Sequence, residues 1–285
     1  MQAQVATRIS GLFSKCRAQH RKAFIAYITA GDPTPAHTVP LVLALERGGA
    51  DLIELGVPFS DPIADGPVIQ RASDRALRAN GTLPSILGAV REIRRTSQVP
   101  LLLFSYLNPL LRYGFERLAN EAIDCGIDGV LLTDLCVEEA GEPVRQLRQR
   151  GLDTVFLAAP TSSDARLRRV AEYSSGFVYL VSRTGVTGER AALAETAGPL
   201  VARMRKLTDL PLALGFGIST AEQVSEAAQL ADGVVVGSAI VKCIEANIDS
   251  PTLPEILKAF VGELTSGFQK RTPQSPNSGN GREYV

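Results

Sequence analysis

Glu54 stands in the apolar run Asp51–Val57, where its neighbours are Leu52, Ile53 and Leu55. A carboxylate in such a run is costly unless it is paired, protonated or at work. It reads either as a salt-bridged structural glutamate or as an acid–base group. Asp61 and Asp65 follow in a loop stiffened by Pro58, Pro62 and Pro67 and turned by Gly66. Each aspartate alone could be a turn residue bonding its own backbone. One buried and one loop carboxylate after the same strand say more. Their environments should push their pKa values apart and so separate acid and base roles.

A second constellation is rich in glycine. It comprises Ser182-Arg-Thr-Gly-Val-Thr-Gly188, Gly215-Phe-Gly217-Ile-Ser219 and Gly237-Ser238. Glycines let the backbone approach an anion, and free amides at helix starts can bind it. The plainer reading is three tight turns. Arg183 is a weaker anion contact, because most arginines are solvated surface charges. Tyr179 either fills core or extends its hydroxyl towards a site, since a buried tyrosine hydroxyl needs a partner. Tyr27, Leu102 and Tyr106 line an apolar pocket or fill the interior. His20 and His37 read as surface residues, and Cys125 as packed behind a strand. Cys136 has no histidine placed to activate it.

The elements that must position these groups are short apolar runs separated by amphipathic stretches. The runs are Ala23–Ala30, Asp51–Val57, Pro100–Tyr106, Gly129–Asp134, Thr154–Pro160, Gly176–Ser182, Pro211–Gly217 and Gly233–Ala239. Most are continuously apolar, as parallel strands covered on both faces are. Helical patterns lie between them, for example Pro40–Arg47 before Gly48-Gly49, and Ala221–Leu230 after an N-cap at Ser219-Thr220. Eight such units favour a (β/α)8 barrel over the alternative, a doubly wound sheet. No G-x-G-x-x-G follows the first run, which weakens a dinucleotide-binding version. Val5, Ile9, Leu12, Phe13 and Cys16 fall at helical spacing and predict a helix that closes the barrel bottom. The stretch from Val57 to Pro100 is too long for one loop and one helix, so extra helices are expected there. The barrel is expected over residues 1–268 as one domain. Residues 269–285, rich in Pro, Ser, Asn and Gly, are expected to be a disordered tail. In a barrel, chemistry collects at the C-terminal ends of the strands. Loops after the seventh and eighth strands frequently hold phosphate there, which favours the anion reading of the glycines.

Composition narrows the class further. Lys plus Arg total 30 and Asp plus Glu total 30, so the net charge is zero and a nucleic-acid partner is disfavoured. The four cysteines are scattered, which argues against disulfides and against zinc. No secretory h-region, transit peptide or membrane-length apolar run is evident, so a cytoplasmic protein is expected, with plastid stroma the option for a plant source.

These motifs together resemble the tryptophan synthase alpha subunit family. The matches are Phe24-Ile-Ala-Tyr-Ile-Thr-Ala-Gly-Asp-Pro33, Glu54-Leu-Gly-Val-Pro-Phe-Ser-Asp-Pro-Ile-Ala-Asp-Gly-Pro67, Tyr179-Leu-Val-Ser-Arg-Thr-Gly-Val-Thr-Gly188, Gly215-Phe-Gly-Ile-Ser219 and Gly237-Ser-Ala-Ile-Val241, in the family's order. The resemblance runs from about Arg8 to Val261. It implies a lyase that splits indole-3-glycerol phosphate into indole and glyceraldehyde 3-phosphate. It also implies a β-subunit partner holding pyridoxal phosphate, an α2β2 heterotetramer, and neither cofactor nor metal in this chain. By resemblance, Glu54 is the acid–base carboxylate, Asp65 faces the indole nitrogen and Tyr179 is the active-site tyrosine. Gly188, Gly217, Gly237 and Ser238 cradle the phosphate, and Tyr27 and Leu102 line the indole pocket. Arg183 and Thr187 lie on a closing loop, with Thr187 able to bond Asp65. The chain departs from the family at Leu132-Thr-Asp-Leu-Cys-Val-Glu-Glu139. There the family often has proline before Asp134 and another at position 136. The chemistry fits the residues: retro-aldol cleavage needs a proton for the ring carbon, a carboxylate near the ring nitrogen and a base for the adjacent hydroxyl. The other readings are a phosphate-binding barrel isomerase, a free-standing lyase, a non-catalytic barrel that activates a β subunit, and an interaction scaffold.

Overall fold

The computed structural model describes residues 7–181, 193–215 and 217–268. Its strands are β1 (Ala23–Thr29), β2 (Leu52–Gly56), β3 (Leu101–Ser105), β4 (Gly129–Leu132), β5 (Asp153–Val155), β6 (Leu157–Ala158), β7 (Val178–Val181), β8 (Leu212–Gly215) and β9 (Gly233–Val236). All neighbours pair in parallel, in the order β5-β4-β3-β2-β1-β9-β8-β7-β6. The sheet is a nearly closed barrel of the (β/α)8 type. The single run expected at Thr154–Pro160 is instead two strands, β5 and β6, interrupted at Phe156. β5 bonds to β4 and β6 bonds to β7, so the break marks where pairing passes from one edge to the other. The Phe156 carbonyl keeps the pass continuous by accepting from Tyr179 N at 3.1 Å.

Residues alternate between two cores, as period-two strands require. Ile25, Leu52, Leu102, Leu131, Val155, Phe177, Ala213 and Val235 meet inside the barrel. Phe24, Ile53, Leu101, Leu103, Val130, Leu212, Leu214 and Val234 face the outer helices. Both faces of every strand are therefore covered, which explains the continuous apolar runs.

The bottom is closed by α1 (Arg8–Ala18). Thr7 caps it by accepting from Ser10 N at 3.1 Å. Ile9, Phe13 and Cys16 enter the inner core, and the Phe13 and Phe177 rings lie 5.6 Å apart. Burial of each large side chain contributes ~1.5–3 kcal/mol. Asp128, at the start of β4, fixes the same end: it accepts from Arg8 Nη1 at 2.8 Å, Arg94 Nη2 at 2.9 Å and Leu101 N at 2.8 Å.

At the opposite end, β2 leads into a loop and then α3 (Pro67–Arg78) and α4 (Leu83–Ile93), the expected extra helices. Pro67 opens α3 in the first turn, where its missing N–H costs no bond. α10 (Ala221–Leu230) begins as its N-cap signal indicated, with Thr220 accepting from Gln223 N. The helix read at Pro40–Arg47 starts slightly earlier, as α2 (Thr38–Arg47). After β9 comes α11 (Ser238–Ala246), whose first turn faces the barrel mouth.

Candidate functional site

Glu54 sits mid-strand on β2, between Tyr27 of β1 and Leu102 of β3 in register. Its phase, shared with Leu52, points it into the barrel. It is 1% exposed, and its Oε1 has no hydrogen-bond partner among the described residues. The salt-bridged arrangement considered from sequence is not found among those residues. Burial alone pushes its pKa up to about 8. Held protonated at neutral pH inside the barrel, it is able to give a proton and take one back.

Asp65 ends the β2–α3 loop. Its N–H donates to Pro62 O at 3.0 Å and its carbonyl accepts from Gln70 Nε2 at 2.9 Å, which fixes its backbone. Burial raises its pKa to about 6, against a bond from Tyr106 that lowers it. The two carboxyl groups therefore differ in charge at pH 7, one neutral and one ionised.

Tyr106, read from sequence as either pocket wall or interior filler, takes a larger part than either. It directly follows β3, is 3% exposed, and its hydroxyl accepts from Ala64 N at 2.9 Å. Its ring also packs on Phe59, 5.2 Å between centroids. One side chain thus pins both ends of the loop that carries Asp65. The signal was available: a tyrosine at a strand end beside an acidic loop.

Tyr179 of β7 and Tyr27 of β1 both stand close to Glu54. Burial raises both hydroxyl pKa values; Glu54 and Tyr27 add to the rise at Tyr179, and Asp65 and Glu54 to that at Tyr27. Each ring reaches over the terminal glycine of the next strand. A Cβ at Gly56 would overlap the Tyr27 hydroxyl, and one at Gly215 would overlap that of Tyr179. Those glycines make the room in which the hydroxyls stand.

Leu102, expected in the pocket, is fully buried beside Glu54 and belongs to the packed inner core. Phe104, two residues on and half-buried, stands nearer the mouth and meets Tyr27 edge to face at 5.2 Å. Phe104 is not among the residues singled out above, although its period-two relation to Leu102 puts it on the same face.

Gly217, Gly237 and Ser238 all lie at the C-terminal rim. Gly217 has φ +78°, with open space where a side chain would stand. Gly237 precedes α11 without a side-chain cap, so the first amides of that helix are free to receive an anion. Gly188, Arg183 and Thr187 lie outside the described residues, as do Val5 and the segment 269–285.

Asp134 accepts from Leu107 N at 2.7 Å and caps α5 (Leu107–Tyr113) from the neighbouring loop. The β4 loop is thereby anchored despite lacking the prolines. Cys136 is exposed and Cys125 buried. His20 is exposed, and His37 bonds Thr34 Oγ1 at 2.8 Å. Among the described residues no group of three His, Cys, Asp or Glu could hold a metal ion. Nor is any helix among them long and apolar enough to cross a membrane.

Known proteins resemble this chain along most of its length. The model of the family described as tryptophan synthase alpha chain matches residues 13–266. The tryptophan synthase alpha chain of Solibacter usitatus is 61% identical over 265 residues, covering 93% of this chain and 99% of that one. The crystal structure of tryptophan synthase subunit alpha from Legionella pneumophila superposes with a TM-score of 0.84 at 35% identity, over 94% of this chain and 100% of that one. A chain of Mycobacterium tuberculosis tryptophan synthase gives 0.84 at 38% identity, over 92% and 98%.

Proposed function

This chain belongs to the tryptophan synthase alpha chain family, and we propose on that premise that its barrel mouth cleaves indole-3-glycerol phosphate to indole and glyceraldehyde 3-phosphate. Its role is that of the alpha subunit in tryptophan biosynthesis. The observation that carries the reaction is a pair of carboxyl groups on either side of one tyrosine: Glu54, buried inside the barrel with Oε1 unbonded among the described residues, and Asp65 of the following loop, both close enough to act on the Tyr27 hydroxyl.

The sequence of steps follows from these groups. Glu54 gives its proton to the ring carbon that bears the glycerol chain. Positive charge develops at the ring nitrogen, where the Asp65 carboxylate stabilises it. The Glu54 carboxylate, now unpaired in a dry site, takes the proton of the adjacent side-chain hydroxyl. The carbonyl forms, the C–C bond breaks, and its electrons return to the ring and neutralise the nitrogen. Glu54 ends protonated, as it began. Each positioned acid or base contributes about 10²–10⁴-fold. Tyr27, Phe104 and Tyr179 form the walls against the bicyclic ring. The amides at Gly217, Gly237 and Ser238 hold the phosphate, with Gly188 completing the cradle, and that remote grip orients the reacting bond.

The chemistry draws on no cofactor in this chain. The family implies a β-subunit partner; we place pyridoxal phosphate in that partner, in an α2β2 assembly in the cytoplasm. The rim that bears Asp61, Asn108 and Pro109, with Ile63 87% and Leu111 55% exposed, supports docking there. Indole release from indole-3-glycerol phosphate, with and without a β subunit, tests the reading. Absence of indole under both conditions would refute it.

A further inference from the structure

Asp32, just beyond β1, is 1% exposed and accepts a fork from Arg75 of α3, at 2.8 Å to Nε and 2.9 Å to Nη2. The same guanidinium donates from Nη1 to Glu245 Oε1 of α11 at 2.8 Å. Glu245 in turn receives a second fork, from Arg71 Nε and Nη2, both at 2.7 Å. The four side chains form one row from the β1 loop, across α3, to α11. Beneath it Ala72, Val68 and Ile69 of α3 pack with Val241 of α11 and Tyr27 of β1.

The inner half of this row is demanded by the fold, because a buried carboxylate needs a partner. The outer half is not. Arg71 is 52% and Glu245 24% exposed, a range in which an ion pair adds little stability. Arg71 and Arg75 are also one turn apart on the same face, a repulsive placement unless an anion lies between them. What the outer half does is geometric: two guanidinium groups hold one carboxylate of α11 in a fixed orientation. α3 begins two residues after Asp65, and α11 begins with the amides of the anion cradle.

We propose that Arg71, Arg75 and Glu245 are positioning residues that fix the distance between Asp65 and the phosphate cradle. The inference rests on the lyase reading above. A substrate held by its phosphate then presents its ring nitrogen to Asp65 in register, and a small slip between α3 and α11 misplaces it.

The test uses the full chain with Glu245→Gln, Arg71→Gln and both together. It measures kcat on indole-3-glycerol phosphate, the Kd of glycerol 3-phosphate and the Tm. Because misplacement of about 1 Å can cost up to 10²-fold, kcat is expected to fall about tenfold or more in each variant. The double variant is expected to fall no further than the singles, as residues acting through one contact do. The Kd is expected to stay close to wild type, because the cradle amides are intact, and so is the Tm of Arg71→Gln, because Arg71 is half exposed. Unchanged kcat would overturn the proposal, and so would a kcat that falls only together with phosphate affinity and Tm. A wild type that releases no indole would refute the lyase reading, and this inference with it; an active wild type with unaffected variants would refute the inference alone.

Discussion

The Tyr27 ring lies over the backbone of Gly56, its hydroxyl in the space that a methyl group there would fill. Phe104 also packs on the ring, edge to face at 5.2 Å. The wall of the chamber is therefore set by a side chain that is absent. Gly56→Ala is expected to cost ~1–3 kcal/mol of stability, as overpacking does, and to lower lyase activity by displacing Tyr27. Thermal unfolding and steady-state rates check this. Wild-type values for both would mean that the ring moves freely.

The pH dependence of kcat/KM should be a bell. Asp65, at about 6, must be ionised, and Glu54, at about 8, must be protonated. Limbs near those values are expected for the free enzyme. A profile flat between pH 5 and 9 would assign the chemistry elsewhere.

Tyr106 tunes the lower limb. Its bond lowers the pKa of Asp65, against the rise that burial causes. Tyr106→Phe removes that bond, and the acceptor of Ala64 N as well. A lost bond to a charged group should move the lower limb upward by about one unit. A limb that stays in place, or moves down, would show that the hydroxyl does not act on Asp65.

Glu54 destabilises the fold at working pH. Its folded pKa, about 8, lies above the ordinary glutamate value of 4.5. Below 4.5 both folded and unfolded states hold the proton and there is no penalty. As pH rises towards 8 the unfolded chain releases it first, so stability falls across that window. At pH 7 the penalty is ~3 kcal/mol. The Tm of Glu54→Gln relative to wild type should therefore rise steadily between pH 5 and 8. A difference that does not vary with pH would contradict a buried, protonated Glu54.

The barrel was legible because its strands are covered on both faces: the runs around Ile25, Leu103 and Val235 are almost wholly apolar, and so is that around Glu54 but for its acidic residues. The split at Phe156 was not, because the change of hydrogen-bonding edge leaves no mark on side-chain polarity. Glu54 stood out as a charge where none is cheap. Leu102 and Phe104 share a phase on β3, and only the depth of the strand in the barrel decides which one reaches the mouth. The row from Asp32 to Arg71 was invisible, since its members are spread over more than two hundred positions. It exists only once α3 and α11 lie side by side.

The central claim is that Glu54 moves the proton that releases indole. It is tested most directly by following indole from indole-3-glycerol phosphate with wild type and Glu54→Gln at pH 7, alongside glycerol 3-phosphate binding to each. The expected result is indole formation by the wild type only, with equal affinity for the phosphate compound in both. Indole formed by Glu54→Gln at the wild-type rate would contradict the account.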